Sequence, residues 1–179
     1  MNIRDCSSLL ALGMCLAAAS AQAFEQHVHE HGRAFLNVAI DGTRLTLELD
    51  TPAINVLGFE HAPHSDAERQ AVDRALGWLQ SGRELFLVPG AAGCRFVHTT
   101  LEPPRWGSAA HEDHAGEEEH ADYHATYEFE CAHMEQLAWI DVRLVDRLMP
   151  GVKTEATVVT PTLQTQRTLM PGALRLDLH

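Results

Sequence analysis

Apolar and polar residues alternate cleanly near the beginning of the chain. Ala34, Leu36, Val38 and Ile40 alternate with Phe35, Asn37 and Ala39; Leu45, Leu47 and Leu49 resume the pattern, with Thr46 and Glu48 facing away. A period of two places successive side chains on opposite faces of a strand. Between the two runs, Asp41-Gly42 supplies a two-residue turn in which glycine tolerates positive φ. The segment therefore predicts a β-hairpin. Farther along, Tyr123, Ala125, Tyr127, Phe129 and Cys131 share one strand face, opposite Asp122, His124, Thr126, Glu128 and Glu130.

A different period governs the segment after Ser65. Val72, Ala75, Leu76 and Leu79 fall at i, i+3, i+4 and i+7, one face of a helix. Ser65 and Glu68 form a capping box at its start, and Ser81-Gly82 marks its end. The apolar residues 85–88 fit either a helical extension or a short strand. From 94 to 101 the chain reads as extended, and residues 139–145, 152–160, 163–169 and 174–178 read as further strands. Met149-Pro150-Gly151 and Thr160-Pro161 separate them as turns. The expected fold is α+β: a mainly antiparallel sheet or sandwich with one principal amphipathic helix.

Residues 7–19, SSLLALGMCLAAA, form an apolar run preceded by Arg4 and followed by the small-x-small pattern Ala21-Gln22-Ala23. The run is too short for a membrane span and reads as a secretory signal peptide covering 1–23. Met14 before Cys15 argues against lipidation. Residues 24–179 then form one domain, with no further segment apolar enough to span a membrane. The formal net charge of the 179-residue chain is −12, and it survives cleavage because Arg4 and Asp5 leave together. That balance argues against nucleic acid or an anionic membrane as partner and suits cations.

Two cysteines, Cys94 and Cys131, remain after cleavage, and an even pair in an exported chain favours a disulfide. Closing such a loop stabilises a fold by about 4 kcal/mol on the chain-entropy account. A cysteine-held metal would call for the closer Cys-x-x-Cys spacing.

Histidine is the unusual residue. The chain has 12, and most lie between His27 and His124. His27, His29 and His31 are spaced two apart ahead of the first hairpin strand, so an extended backbone would project all three from one face. His120, Asp122 and His124 repeat that period. His61 and His64 occupy the turn into the capped helix. His111 and His114 belong to an acidic stretch within 102–119 that has little to bury and is expected to form a flexible loop at about 107–120. Zinc takes four nitrogen, sulfur or carboxylate ligands in a tetrahedron, and two ligands at i and i+2 on a strand can share one ion. His29 and His31 meeting His120 or His124, with His61 completing the shell, would satisfy it.

Blander roles compete for several of these residues. His27 and His64 fit solvated positions, His61 fits a hydrogen-bonded turn, and His98 and His133 fit ordinary strand ends or turns. His111 and His114 act either as weak loop ligands or as solvated spacer. No HExxH or G-x-S-x-G motif occurs, and no cysteine looks nucleophilic, so an enzyme is not expected. Met134, Met149 and Met170 are too scattered for a Cu(I) cluster. Nitrogen and oxygen ligands suit Zn(II), with Cu(II) and Ni(II) still open. Two rival readings are a zinc-dependent hydrolase with Glu60 as base, and a pH-sensing envelope interaction module.

Several ordered motifs then converge. His29-Glu30-His31-Gly32 with Leu36-Asn37-Val38, Gly58-Phe59-Glu60-His61-Ala62-Pro63, Ala92-Gly93-Cys94, and His120-Ala121-Asp122-Tyr123-His124 with Tyr127-Glu128-Phe129-Glu130-Cys131 resemble the ZrgA family of proteobacterial periplasmic zinc-uptake proteins. Asp141-Val142-Arg143-Leu144 and Pro150-Gly151 fit as well. The resemblance covers nearly the whole chain after the signal. It implies a periplasmic protein of a Gram-negative cell that binds Zn(II) and feeds an envelope zinc transporter component. It also implies His29, His31, His61, His120 and His124 as ligands, with Asp122 or Glu60 as oxygen donors. Five histidines exceed one tetrahedral shell, so either some act from outside it or two ions bind. The family's long histidine-rich insertion is short here, at 107–119.

Overall fold

The computed structural model describes residues 30–106 and 121–178. Signal residues 1–23, His27, His29 and the loop histidines His111, His114 and His120 lie outside the described residues.

The hairpin forms as expected. β1 (Arg33–Asp41) pairs antiparallel with β2 (Arg44–Pro52), and Ala34, Leu36, Val38, Leu45, Leu47 and Leu49 are buried. The turn is displaced by one residue from the expected Asp41-Gly42. Asp41 pairs with Arg44, so Gly42-Thr43 makes the loop, with Gly42 at φ 59°. The left-handed conformation is cheap only for glycine, so Gly42 takes the first loop position.

α1 (Ala53–Leu57) follows β2 directly. α2 (Asp66–Leu79) is the principal helix, and its capping box is present in full: Ser65 accepts from the Glu68 N–H and Glu68 accepts from the Ser65 N–H. Two backbone donors at the helix start are thereby satisfied, a device worth about 1 kcal/mol. Ala75 and Leu79 carry the buried face.

Ser81-Gly82 does more than end that helix. α2 closes at Gln80, and Ser81 leads into the single turn α3 (Gly82–Leu85). Gly82 is required by packing, since a Cβ there would stand 2.6 Å from Phe96 Cε2 and 2.8 Å from Tyr127 Cδ1. Residues 85–88 prove to be both things at once: Leu85 ends α3, and Phe86–Leu87 is the short strand β3.

β4 (Cys94–Glu102) and β5 (Asp122–Cys131) pair antiparallel, with a bulge at Val97 that leaves its side chain exposed. The expected inner face of β5 is buried at every position. Cys94 and Cys131 are directly opposite and disulfide-bonded, S–S 2.07 Å. The predicted strand over 139–145 stops early. β6 is Trp139–Val142, and Arg143–Arg147 winds into a 3-10 helix that buries Leu144 and Val145. Burial of that apolar pair is met by a tight turn as well as by a strand, and periodicity over so few residues does not separate the two. β7 (Lys153–Val159), β8 (Gln164–Leu169) and β9 (Arg175–Asp177) complete the chain order.

Two sheets result, one ordered β4-β5-β2-β1-β7-β8 and the other β3-β6-β9. All pairings are antiparallel except β1 with β7. The α+β expectation, sheet-rich with one principal helix, is met. One face of the large sheet packs on α3 and the small sheet, with Phe86 edge-on to Tyr127 at 4.8 Å between ring centroids. The hydroxyls of Tyr123 and Tyr127 are buried without a hydrogen-bond partner among the described residues. Burial pushes the Tyr123 phenol up to about 12 and raises Tyr127 as well, so both stay neutral. The other face of the sheet carries the polar residues of each strand. No helix among the described residues is long and apolar enough to cross a membrane.

Candidate metal site

One end of the large sheet collects the chemistry. There β1 begins, β2 ends in α1, β5 begins and β4 ends. The junction is tied together by backbone bonds: Ala53 N–H donates to the Ala121 carbonyl at 2.6 Å and Lys153 N–H to the Gly32 carbonyl at 2.9 Å.

On the polar face at this end, His124 of β5 stands opposite Asp50 of β2 on one side and Glu102 of β4 on the other. Asp122 lies two residues before His124, on the same face. Ligand atoms of Asp50, Asp122 and His124 all lie within 4.8 Å of one another, and His124 Nδ1 is 3.6 Å from Asp50 Oδ2. Among the described residues this is the one trio of histidine, cysteine and acidic side chains gathered so closely. Asp122 and His124 were expected from sequence. Asp50 was not, because a single outward aspartate in an amphipathic strand carries no motif; only strand register brings it here.

A second group forms around the turn after α1. His31 Nε2 meets Glu60 Oε2 at 2.7 Å. The backbone beside His31 is fixed by Asn55, whose Oδ1 accepts the Gly32 N–H at 2.9 Å and whose Nδ2 donates to the Arg33 carbonyl at 2.7 Å. His61 donates from Nδ1 to the Ala62 carbonyl at 3.0 Å. A carbonyl only accepts, so Nδ1 carries a proton, and in the neutral ring Nε2 is then the nitrogen with the lone pair, the arrangement a metal-ligating histidine needs. The His61 ring stacks between Phe59 and His64, each 5.0 Å away, and Phe59 in turn stacks on Trp106 at 6.3 Å. Glu68 holds the His64 and Ser65 backbone N–H groups, and these bonds pull its carboxyl below the usual range.

The structure thus places His31 against Glu60 and His124 against Asp50 and Asp122, at the same end of the sheet. His31, His61 and His124 do not form a single close trio. Arg33 lies nearby and is occupied by carboxylates, bonding Glu155 at 2.5 Å and Glu30 at 2.8 Å. His98 sits mid-strand beside the β4 bulge, opposite Glu128, and His133 lies 3.6 Å from Glu135.

A family profile described as ZrgA family zinc uptake protein matches residues 28–178. The chain belongs to the ZrgA family. Membership connects the protein with zinc uptake, and the ZrgA description names an uptake protein, not an enzyme. The match spans β1 through β9 and both groups of candidate ligands. A search of curated proteins finds no match to the chain.

Proposed function

We propose that the protein captures Zn(II) in the periplasm through histidine and carboxylate ligands and passes it to an envelope uptake component by ligand exchange. The observation that carries this reading is the gathering of Asp122 and His124 with Asp50, at the sheet end that also holds His31, Glu60 and His61. Membership of a zinc uptake family supports zinc as the cargo. The donor chemistry agrees, since imidazole nitrogen and carboxylate oxygen are both ordinary zinc ligands. The acidic chain, −12 at neutral pH, draws cations toward these ligands and speeds encounter at low salt. His29 and His120, which flank the described segments in sequence, complete the proposed ligand set, and His111 and His114 add weaker capture. The Cys94–Cys131 disulfide fits an oxidising compartment such as the periplasm.

The test is thermal unfolding with and without zinc, paired with isothermal titration at pH 7.4. A specific binder gains about 2.7 kcal/mol at a free zinc concentration 100 times Kd. The triple variant His31→Ala, His61→Ala, His124→Ala should lose most of that gain. An unchanged melting temperature for the native protein in zinc would refute the reading.

A further inference from the structure

We infer that Asp50 is a direct metal ligand, and that with Asp122 and His124 it forms an oxygen-rich divalent-cation site on the polar face of the sheet. The inference rests on the zinc-capture reading and adds to it a specific ligand, Asp50. Its basis is a distance. His124 Nδ1 and Asp50 Oδ2 are 3.6 Å apart, too far for a good hydrogen bond. Two ligands held at zinc's usual 2.0–2.2 Å in a tetrahedron are separated by about 3.4 Å. The pair therefore stands close to the edge length of a zinc tetrahedron, and Asp122 lies within 4.8 Å of both.

The His31–Glu60 pair behaves differently. At 2.7 Å its nitrogen and oxygen are in hydrogen-bond contact. If both bound one ion at about 2.1 Å, the angle between them would be only about 80°, far from tetrahedral. As arranged, Glu60 orients the His31 ring through Nε2, the outer-partner role that carboxylates commonly play for metal-bound histidine.

The strands explain why the trio is preformed. Pairing of Asp50 with His124 fixes two ligands across β2 and β5, and Asp122 follows from the two-residue period of β5. All three sit on regular strands, so little ordering is needed when a cation arrives. One nitrogen and two oxygens, with at least one position left for water or a further donor, make a site that releases zinc more readily than an all-imidazole cage. Such a site suits a carrier.

Zinc titration of the exported chain, native and with Asp50→Asn, tests the assignment, alongside His31→Ala/His61→Ala as a comparison. Loss of an outer partner already costs about 10- to 100-fold in affinity, so Asp50→Asn should weaken one binding step by about 100-fold or more. The Asp50→Asn protein should keep its zinc-free urea midpoint. Cadmium-113 NMR of the native protein supplies a readout independent of any variant. A resonance upfield of the nitrogen-rich range should appear and vanish in Asp50→Asn. Zinc affinity within twofold of native in Asp50→Asn, or only nitrogen-rich cadmium resonances in the native protein, would overturn the assignment. If affinity falls only in His31→Ala/His61→Ala, zinc capture stands and Asp50 is no ligand. If the native protein binds neither metal, both fail.

Discussion

Gly32 and Asn55 are joined by a 2.9 Å hydrogen bond from the glycine N–H to the side-chain oxygen of an asparagine that is 2 % exposed. The same side chain donates to the Arg33 carbonyl and to Thr51 Oγ1, and the Asn55 carbonyl accepts the Met149 N–H at 2.7 Å. Asn55 thus clamps the start of β1, the end of β2 and the segment before β7 around His31. Asn55→Ala leaves the Gly32 N–H and Arg33 carbonyl without these partners in a partly buried place. Each such group costs about 1–3 kcal/mol. Urea unfolding should show a total loss of about 2–4 kcal/mol, and zinc titration should show weaker binding because His31 loses its anchor. A variant as stable as the native protein would contradict the clamp.

Gly82→Ala tests packing against propensity. Alanine is the better helix former by about 1 kcal/mol. Its Cβ, however, would collide with the rings of Phe96 and Tyr127, both held by other aromatic neighbours. Overpacking of this kind costs about 1–3 kcal/mol. A lower urea midpoint is expected, and a raised one would show that the rings move aside freely.

Glu48 provides a pH signature. It projects from β2 on the polar face, between Asn37 and Thr126, and partial burial raises its pKa above the usual carboxylate value. A raised folded-state pKa means that the charged form is the disfavoured one. The penalty is fully present at neutral pH and disappears as pH falls through the folded and then the unfolded pKa. Glu48→Gln should therefore be more stable than the native protein at pH 7, with the advantage gone near pH 3. Denaturant midpoints at the two pH values check the sign. An advantage that persists at pH 3 would place its origin elsewhere.

The alternation in 34–49 and 123–131 determined three strands and their inner faces, because a period of two leaves only one way to bury leucine and tyrosine together. The disulfide was legible separately, from Cys94 and Cys131 as the even pair of cysteines outside 1–23. Ser65 and Glu68 likewise marked the start of α2, since a capping box is a local device complete within four residues. Histidine spacing pointed to Asp122 and His124 in the same local way. Tertiary structure decided what local pattern does not encode. Gly82 reads as a helix stop until Phe96 and Tyr127 arrive from distant strands. Asp50 reads as one more outward polar residue until the register of β2 on β5 sets it against His124. No local pattern singles out Asn55, whose role exists only once it is buried against Gly32 and Arg33. The physical reason is shared by all three: periodicity and capping act between residues a few positions apart, whereas ligand geometry and steric fit depend on distances between strands, which exist only once the sheet has formed.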